Sequence, residues 1–319
     1  MKKTQHQLLL QLQQFQGLNR IFIGYSGGVD SHVLLHICAE MNDFKNRITA
    51  VYIHHGLQKD ATEWGIHCKK IAISLSVEFL EIHVNASSQR GESPEEAARN
   101  ARYEAFKNIM TENDVLLIAQ HREDQLETVL LQLFRGSGLK GLAGMPEKMP
   151  FARGHLLRPL LRIGKNEILS YALEYKLTWI EDPSNENTIY DRNFLRHEII
   201  PQLKQRWQSL DKTVSRTSTH CAEAECLISS FAQTQLQTML NVDKSLDITK
   251  LLGFSEIKQR LILREWFAFL NLKMPSQDFL QRILDEVVFA RIDRHPILHK
   301  KGVTICRKKN TLFLLLAEH

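Results

Sequence analysis

The sequence predicts an α/β fold: a parallel sheet with helices on both faces, followed by a smaller, mainly helical domain. Three features carry this. Residues 20–25, RIFIGY, form a β-rich run that enters the turn Ser26-Gly27-Gly28 and then an apolar helical pattern, Val33, Leu34, Leu35, Ile37 and Cys38. That strand–turn–helix rhythm then repeats, and strands alternating with helices imply a parallel sheet. Beyond Asp191 the texture changes to long polar–apolar helices.

In chain order, the N-terminal segment MKKTQHQLLLQLQQF reads as an amphipathic helix. Glutamines interrupt its apolar runs and no small-residue cleavage site follows, so a signal peptide is not expected. ITAVYIHH reads as a strand, Ala61 to Leu75 as a helix, VEFLEIHV as a strand, Pro94 to Met110 as a helix and DVLLIAQH as a further strand. A helix over Asp124 to Phe134 leads into the glycine-rich loop RGSGLKGLAGM, a strand-like HLLRPLL and a helix near Lys165 to Tyr175. The later helices run through Ile199, Leu203, Trp207 and Leu210 toward Met239, then over Ser255 to Leu270 and Ser276 to Ala290. Two strands, Ile297 to Cys306 and Thr311 to Leu316, close the chain around the basic turn RKKN. The 319 residues suffice for about two domains, placed at 1–210 and 211–319.

Composition narrows the class. With 43% hydrophobic and 24% charged residues, the chain is an ordinary globular protein, and no run reaches the roughly 20 apolar residues of a membrane span. Cys38, Cys68, Cys221, Cys226 and Cys306 form no CxxC pair, so neither a disulfide framework nor a cysteine metal site is expected, and a reducing cytoplasm is the default. Residues 1–190 carry 21 Lys and Arg against 22 Asp and Glu, whereas 191–319 carry 20 against 14. The basic surplus in the second part is compatible with a polyanion.

The chemistry centres on Ser26-Gly27-Gly28-Val29-Asp30-Ser31. Glycines between a strand and a helix let backbone amides wrap a phosphate, and the helix N-terminus adds free N–H groups and partial positive charge. Ser26 and Ser31 add hydroxyls. Asp30 would repel phosphates on its own, but it fits a loop in which it ligates a divalent cation, Mg2+, carried by those phosphates. The loop lacks the lysine of GxxxxGK[ST] motifs. It resembles instead the PP-loop of N-type ATP pyrophosphatases, which implies an adenine nucleotide α-hydrolase-like domain that cleaves ATP between its α and β phosphates and transfers AMP.

Outside the loop, IHHGL at 53–57, GESPEEAARNARYEAF at 91–106, AQHREDQLETVLLQLFRGSGLKGLAGM at 119–145, WIEDPSN and YDRNFLRHEIIP resemble the tRNA(Ile)-lysidine synthase family, over roughly residues 20–210. The resemblance implies that ATP adenylates the wobble cytidine of an isoleucine tRNA with a CAU anticodon, and that free L-lysine then displaces AMP. Asp124 and Glu127, three apart on a predicted helix, share a face and could grip the lysine ammonium groups. By its place in the DRN motif, Arg192 is assigned to the lysine carboxylate or a phosphate. His55 and Gly56 are expected at the nucleotide; Arg99, Arg102, Tyr103, His121, Arg135, Asn193 and Arg196 are expected at the substrate. Arg260, Arg264, Arg282, Lys300, Lys301, Arg307, Lys308 and Lys309 are candidates for holding the tRNA body. The family usually reads DD where this chain has Glu123-Asp124, and longer members carry a further C-terminal domain not found in these 319 residues. Rival readings are a PP-loop tRNA thiolase, an ammonia-dependent small-molecule synthetase and a nonenzymatic nucleotide-sensing RNA binder. Oligomeric state is left open, a homodimer included.

Overall fold

A six-stranded sheet in the order β3-β2-β1-β4-β6-β5 organises the first part of the computed structural model, which describes residues 2–54, 56, 61–85, 94–291, 294–300 and 302–316. Helix α1 (Lys2–Gln13) precedes β1 (Ile21–Gly24), which passes through a short loop into α2 (Val29–Ala39). The alternation continues through β2 (Ile48–His54), α3 (Ala61–Ser74), β3 (Glu78–His83), α4 (Pro94–Ile109) and β4 (Val115–Leu117). Then come α5 (Arg122–Phe134), the single turn α6 (Leu139–Leu142), the hairpin β5 (Lys148–Phe151) and β6 (Gly154–Leu157), and α7 (Lys165–Glu174). Next, α8 (Asp191–Phe194) runs through a π-helical turn, Leu195–Ile199, into α9 (Ile200–Arg206), ahead of the long α10 (Leu210–Met239).

Period-two burial places the helices on both faces. Ile21, Ile23 and Tyr25 pack toward α1, α2 and α7, while Phe22 points the other way onto Phe106 of α4 and Met110 just after it. All pairs are parallel except β5–β6. The HLLRPLL strand stops at Leu157, earlier than its sequence suggests, because Pro159 has no N–H for a ladder. β5 was not predicted. It contains Pro150, which is tolerated because the strand forms the sheet edge.

The chain divides into two compact units, residues 1–222 and 223–319, and the change falls inside α10, whereas the sequence put it near residue 210. The second unit contains β7 (Leu246–Asp247), α11 (Ile248–Leu252), α12 (Glu256–Phe269), α13 (Gln277–Arg282), β8 (Ile297–Lys300), β9 (Val303–Lys308) and β10 (Thr311–Leu316). Its strands form an antiparallel sheet, β7-β10-β9-β8, over a core that includes Trp266, Phe267 and Phe279. Arg307, expected on a phosphate, is buried here and donates to the carbonyls of Val288 at 2.6 Å, Ala290 at 2.7 Å and Lys309 at 2.7 Å. It ties off the end of a helix instead of facing solvent. Lys301 lies outside the described residues.

Candidate active site

From β1 the chain builds outward to β2 and β3 on one side, then lays β4 on the other. Connections leaving the carboxyl ends of β1 and β4 therefore diverge, and such a switch point opens a crevice. A cavity of about 360 Å³ lies there, and its walls include Ser26, Asp30, Trp64, Arg102, Tyr103 and Asp182. A larger open cleft of about 570 Å³ sits at the opposite strand ends, beside Asn19 and Glu112, away from these groups.

The 26–31 loop is held from within and from behind. Ser31 Oγ donates to the Gly28 carbonyl at 2.9 Å and accepts from the Ser26 amide at 3.2 Å. Its proton thus shapes the loop, and Ser26, exposed, donates its hydroxyl to Ser31 Oγ at 3.2 Å. The Ile180 amide donates to the Gly27 carbonyl at 3.0 Å. Gly27 has φ +84°, and a Cβ there would stand 2.8 Å from Ile180 Cδ1 and 3.0 Å from Cys68 Sγ. Gly27→Ala is expected to destabilise the protein by about 1–3 kcal/mol and to weaken ATP binding, as thermal unfolding with and without nucleotide would register. No side chain caps the N-terminus of α2, so its first N–H groups are available to an anion.

Asp30, in the first turn of α2, meets Lys165, the first residue of α7. Lys165 Nζ bridges both carboxylate oxygens, at 2.6 and 2.8 Å. No sequence pattern points to Lys165, because the two residues lie 135 positions apart. Glu123 accepts from the Lys165 backbone N–H at 2.9 Å and so fixes the start of α7. The long glutamate side chain makes that reach. Burial opposes its ionisation, but His121 and backbone N–H groups outweigh burial and hold the Glu123 pKa at about 2.

His121 is buried between three carboxylates. Its Nδ1 is 3.2 Å from Glu123 Oε2, and its Nε2 is 3.5 Å from Asp124 Oδ2 and 3.8 Å from Asp30 Oδ1. Burial disfavours the charged ring, yet Glu123, Asp124 and Asp30 together raise its pKa above the ordinary 6.5. A raised folded-state pKa stabilises fully below the unfolded value, and the contribution is lost as pH rises through the folded one. The thermal midpoint of the unaltered protein should therefore fall toward that of His121→Gln as pH climbs above 6.5, where the imidazole's ordinary pKa lies.

Asp124 and Glu127 do share a face of α5, and α8 with the π-helical turn after it brings Arg192 and Arg196 onto them. Glu127 is 1% exposed; it accepts from Arg192 Nε at 2.6 Å, Arg196 Nε at 2.6 Å and the Arg196 terminal nitrogen at 2.9 Å. Asp124 Oδ1 takes the second nitrogens of Arg192 and Arg196 at 3.3 and 3.2 Å. Burial opposes ionisation of Asp124, but His121, Arg192 and Arg196 win and lower its pKa. Glu127 therefore has no free oxygen for a lysine ammonium in this structure, contrary to the sequence expectation. It orients the two guanidiniums.

The remaining expected residues divide. Arg99, Arg102 and Tyr103 line the cavity, with the Arg99 guanidinium 5.1 Å from the Tyr103 ring centroid. Arg135 caps the far end of α5 and is exposed, outside the cavity walls. Asn193 donates to the carbonyls of Ser184 at 3.1 Å and Asn187 at 2.9 Å, bracing the 182–190 loop. Gly56 is described and exposed, whereas His55 lies outside the described residues. Trp64, Gln120, Asp182 and Asn185 also line the cavity. None was singled out from the sequence, although Gln120, Asp182 and Asn185 fall within the segments AQHREDQ and WIEDPSN that carry the family resemblance; only Trp64 lies outside them.

The PP-loop domain family matches residues 1–203, and the TilS substrate binding domain matches residues 246–313. The tRNA(Ile)-lysidine synthase of Proteus mirabilis is 42% identical over 306 residues, 95% of this chain and 69% of the relative. That of Vibrio cholerae is 41% identical over 304 residues, 94% and 68%. The chain belongs to the tRNA(Ile)-lysidine synthase family. A more distant tRNA(Ile)-lysidine synthase, from Coxiella burnetii, is 37% identical over 312 residues and 98% of the chain. Among solved structures, the U34-tRNA thiolase NcsA of Methanococcus maripaludis, with its 4Fe–4S cluster, superposes with a TM-score of 0.57 at 18% identity, covering 70% of this chain and 78% of the thiolase. That likeness speaks to fold alone. It agrees with the mostly parallel sheet described above.

Proposed function

We propose that this chain is an ATP-dependent ligase that makes lysidine. The 2-oxygen of the wobble cytidine of an isoleucine tRNA with a CAU anticodon attacks the α-phosphorus of ATP, and pyrophosphate leaves. An amine of free L-lysine then attacks C2 of the cytosine; AMP leaves, and the amine proton passes to solvent or a nearby base. Codon reading would change from AUG to AUA. The observation that carries the reading is the position of Asp30, which stands at the mouth of the SGGVDS loop and touches the charge cluster built on α5.

The residues present suit ATP and Mg2+. An uncapped helix N-terminus, a glycine with positive φ and an exposed Ser26, whose hydroxyl can exchange Ser31 for a ligand, suit phosphates, and Asp30 suits the cation on them. Bound Mg2+ would neutralise phosphate charge and favour departure of pyrophosphate. Lys165 balances Asp30 without that ion and can turn its ammonium to a phosphate with it. Arg99, Arg102 and Tyr103 offer the stacking and guanidinium surfaces that a base taken out of its stack requires. Arg192 and Arg196, held by Glu127, present fixed positive charge to the lysine carboxylate or the departing phosphate. Asp124, kept ionised by its cationic neighbours, serves to grip an ammonium and is a weak proton acceptor. Transfer RNA as substrate implies the cytoplasm, and no helix among the described residues is long and apolar enough to cross a membrane.

Incubation with ATP, Mg2+, labelled lysine and isoleucine tRNA transcripts should place label in the CAU transcript and not in one with a different first anticodon base. Label in neither would overturn the reading. A sulfur-transfer reaction would need reactive cysteines. Burial raises the Cys38 pKa and pushes that of Cys68 up to about 12, and Cys306 is buried as well. Alkylating the accessible Cys221 and Cys226 should leave lysine incorporation unchanged; a proportional loss would favour the thiolase reading.

A further inference from the structure

Beside the nucleotide cavity, β2 and β3 bring together metal-ligating side chains that the reaction above does not use. Glu81 and His83 are two apart on β3 and so project from one face. The parallel register sets His83 beside His54 and Glu81 beside Tyr52, which puts all four side chains on the face covered by α3. The His54 and His83 rings stack with centroids 4.5 Å apart, and His83 Nε2 is 3.3 Å from Glu81 Oε1. One ligand atom from each of His54, Glu81 and His83 lies within 4.8 Å of the other two.

The covering helix makes room for this group. Gly65 is buried in the middle of α3, and a Cβ there would stand 3.2 Å from Glu81 Oε1, 3.3 Å from Glu81 Oε2 and 3.3 Å from Tyr52 Cε1. Glycine inside a helix is about 1 kcal/mol worse than alanine, so its effect here is to admit the carboxylate against the helix.

We propose that His54, Glu81 and His83 form a three-ligand site for a divalent transition-metal ion of the zinc class. Two imidazoles with one carboxylate suit zinc, cobalt or nickel, whereas Mg2+ prefers an all-oxygen shell. A tetrahedral zinc shell needs ligand atoms roughly 3.3 Å apart, given metal–nitrogen bonds of about 2.0 Å. Glu81 and His83 already meet that spacing, and His83, 71% exposed, is free to turn. The fourth position faces solvent. A bound ion would pin the carboxyl ends of β2 and β3 next to Tyr52 and Ile53, which line the cavity.

The test is zinc titration of the full chain against a chromophoric chelator, with excess Mg2+ and no nucleotide, alongside His83→Ala and Glu81→Gln. The unaltered chain should bind one zinc ion at least about 10-fold more tightly than either variant. Zinc should also raise its thermal midpoint, and cobalt should give the visible bands of a four-coordinate nitrogen–oxygen site, both effects missing from the variants. All three proteins fold without metal, because His83 and Glu81 are surface groups on the sheet-edge strand β3. Equal zinc affinity and matching cobalt spectra in the three would overturn the proposal.

Discussion

Replacing Asp30 with alanine is expected to lower AMP formation by about 10³-fold while isoleucine tRNA still binds. The carboxylate belongs to the loop that fits phosphates, so its loss removes the proposed anchor for Mg2+. It also frees Lys165, whose ammonium now bridges both Asp30 oxygens at 2.6 and 2.8 Å. A lysine released at the loop can still attract phosphate. ATP binding should therefore decline less than turnover, and filter binding of labelled tRNA against AMP release by chromatography separates the two. A nonenzymatic nucleotide sensor would keep its function in Asp30→Ala.

The second large effect is expected in stability. Glu127→Ala strips the shared partner from Arg192 and Arg196 and leaves two guanidiniums partly buried with only Asp124 between them. Breaking a buried ion pair from one side typically costs about 3–5 kcal/mol, because the remaining charge stays desolvated. For a unit of this size, that lowers the thermal midpoint by roughly 6–20 °C. Glu127→Gln, which keeps the shape and one acceptor oxygen, should lose less. Both variants should also raise the KM for lysine, since the arginines lose their fixed orientation. An unchanged midpoint in Glu127→Ala would show that water reaches the cluster and that Glu127 does not organise it.

Most of the fold is legible in the sequence because its signals are local. The RIFIGY run, the SGG turn and the apolar spacing of 33–38 each specify a conformation within a few residues, and the strand–helix rhythm then dictates a parallel sheet. The edge strand β5 escaped because Pro150 argues against a strand, and only tertiary position makes it acceptable. Basic residues at the C-terminal end misled for a similar reason. Arg307 looks like a surface cation in RKKN, but three carbonyls of the fold claim it.

The site divides along the same line. Asp30 and the Asp124–Glu127 pair could be found from a turn motif and from helical spacing. Lys165 could not, since only the packing of α7 beside α2 brings it to Asp30. Nor does spacing show that Glu127 faces inward to arginines and not outward to substrate; burial decides that. Glu123, where the family resemblance leads one to expect an aspartate, has a role that only the fold reveals: it accepts from the Lys165 backbone N–H at 2.9 Å.

The most direct measurement follows the fate of the nucleotide. With ATP labelled at the α-phosphate, isoleucine tRNA bearing the CAU anticodon and free lysine, AMP should accumulate one for one with lysine entering the RNA, with pyrophosphate as the co-product. Labelled ADP in place of AMP, or AMP released at the same rate without RNA, would contradict attack by the tRNA at the α-phosphorus.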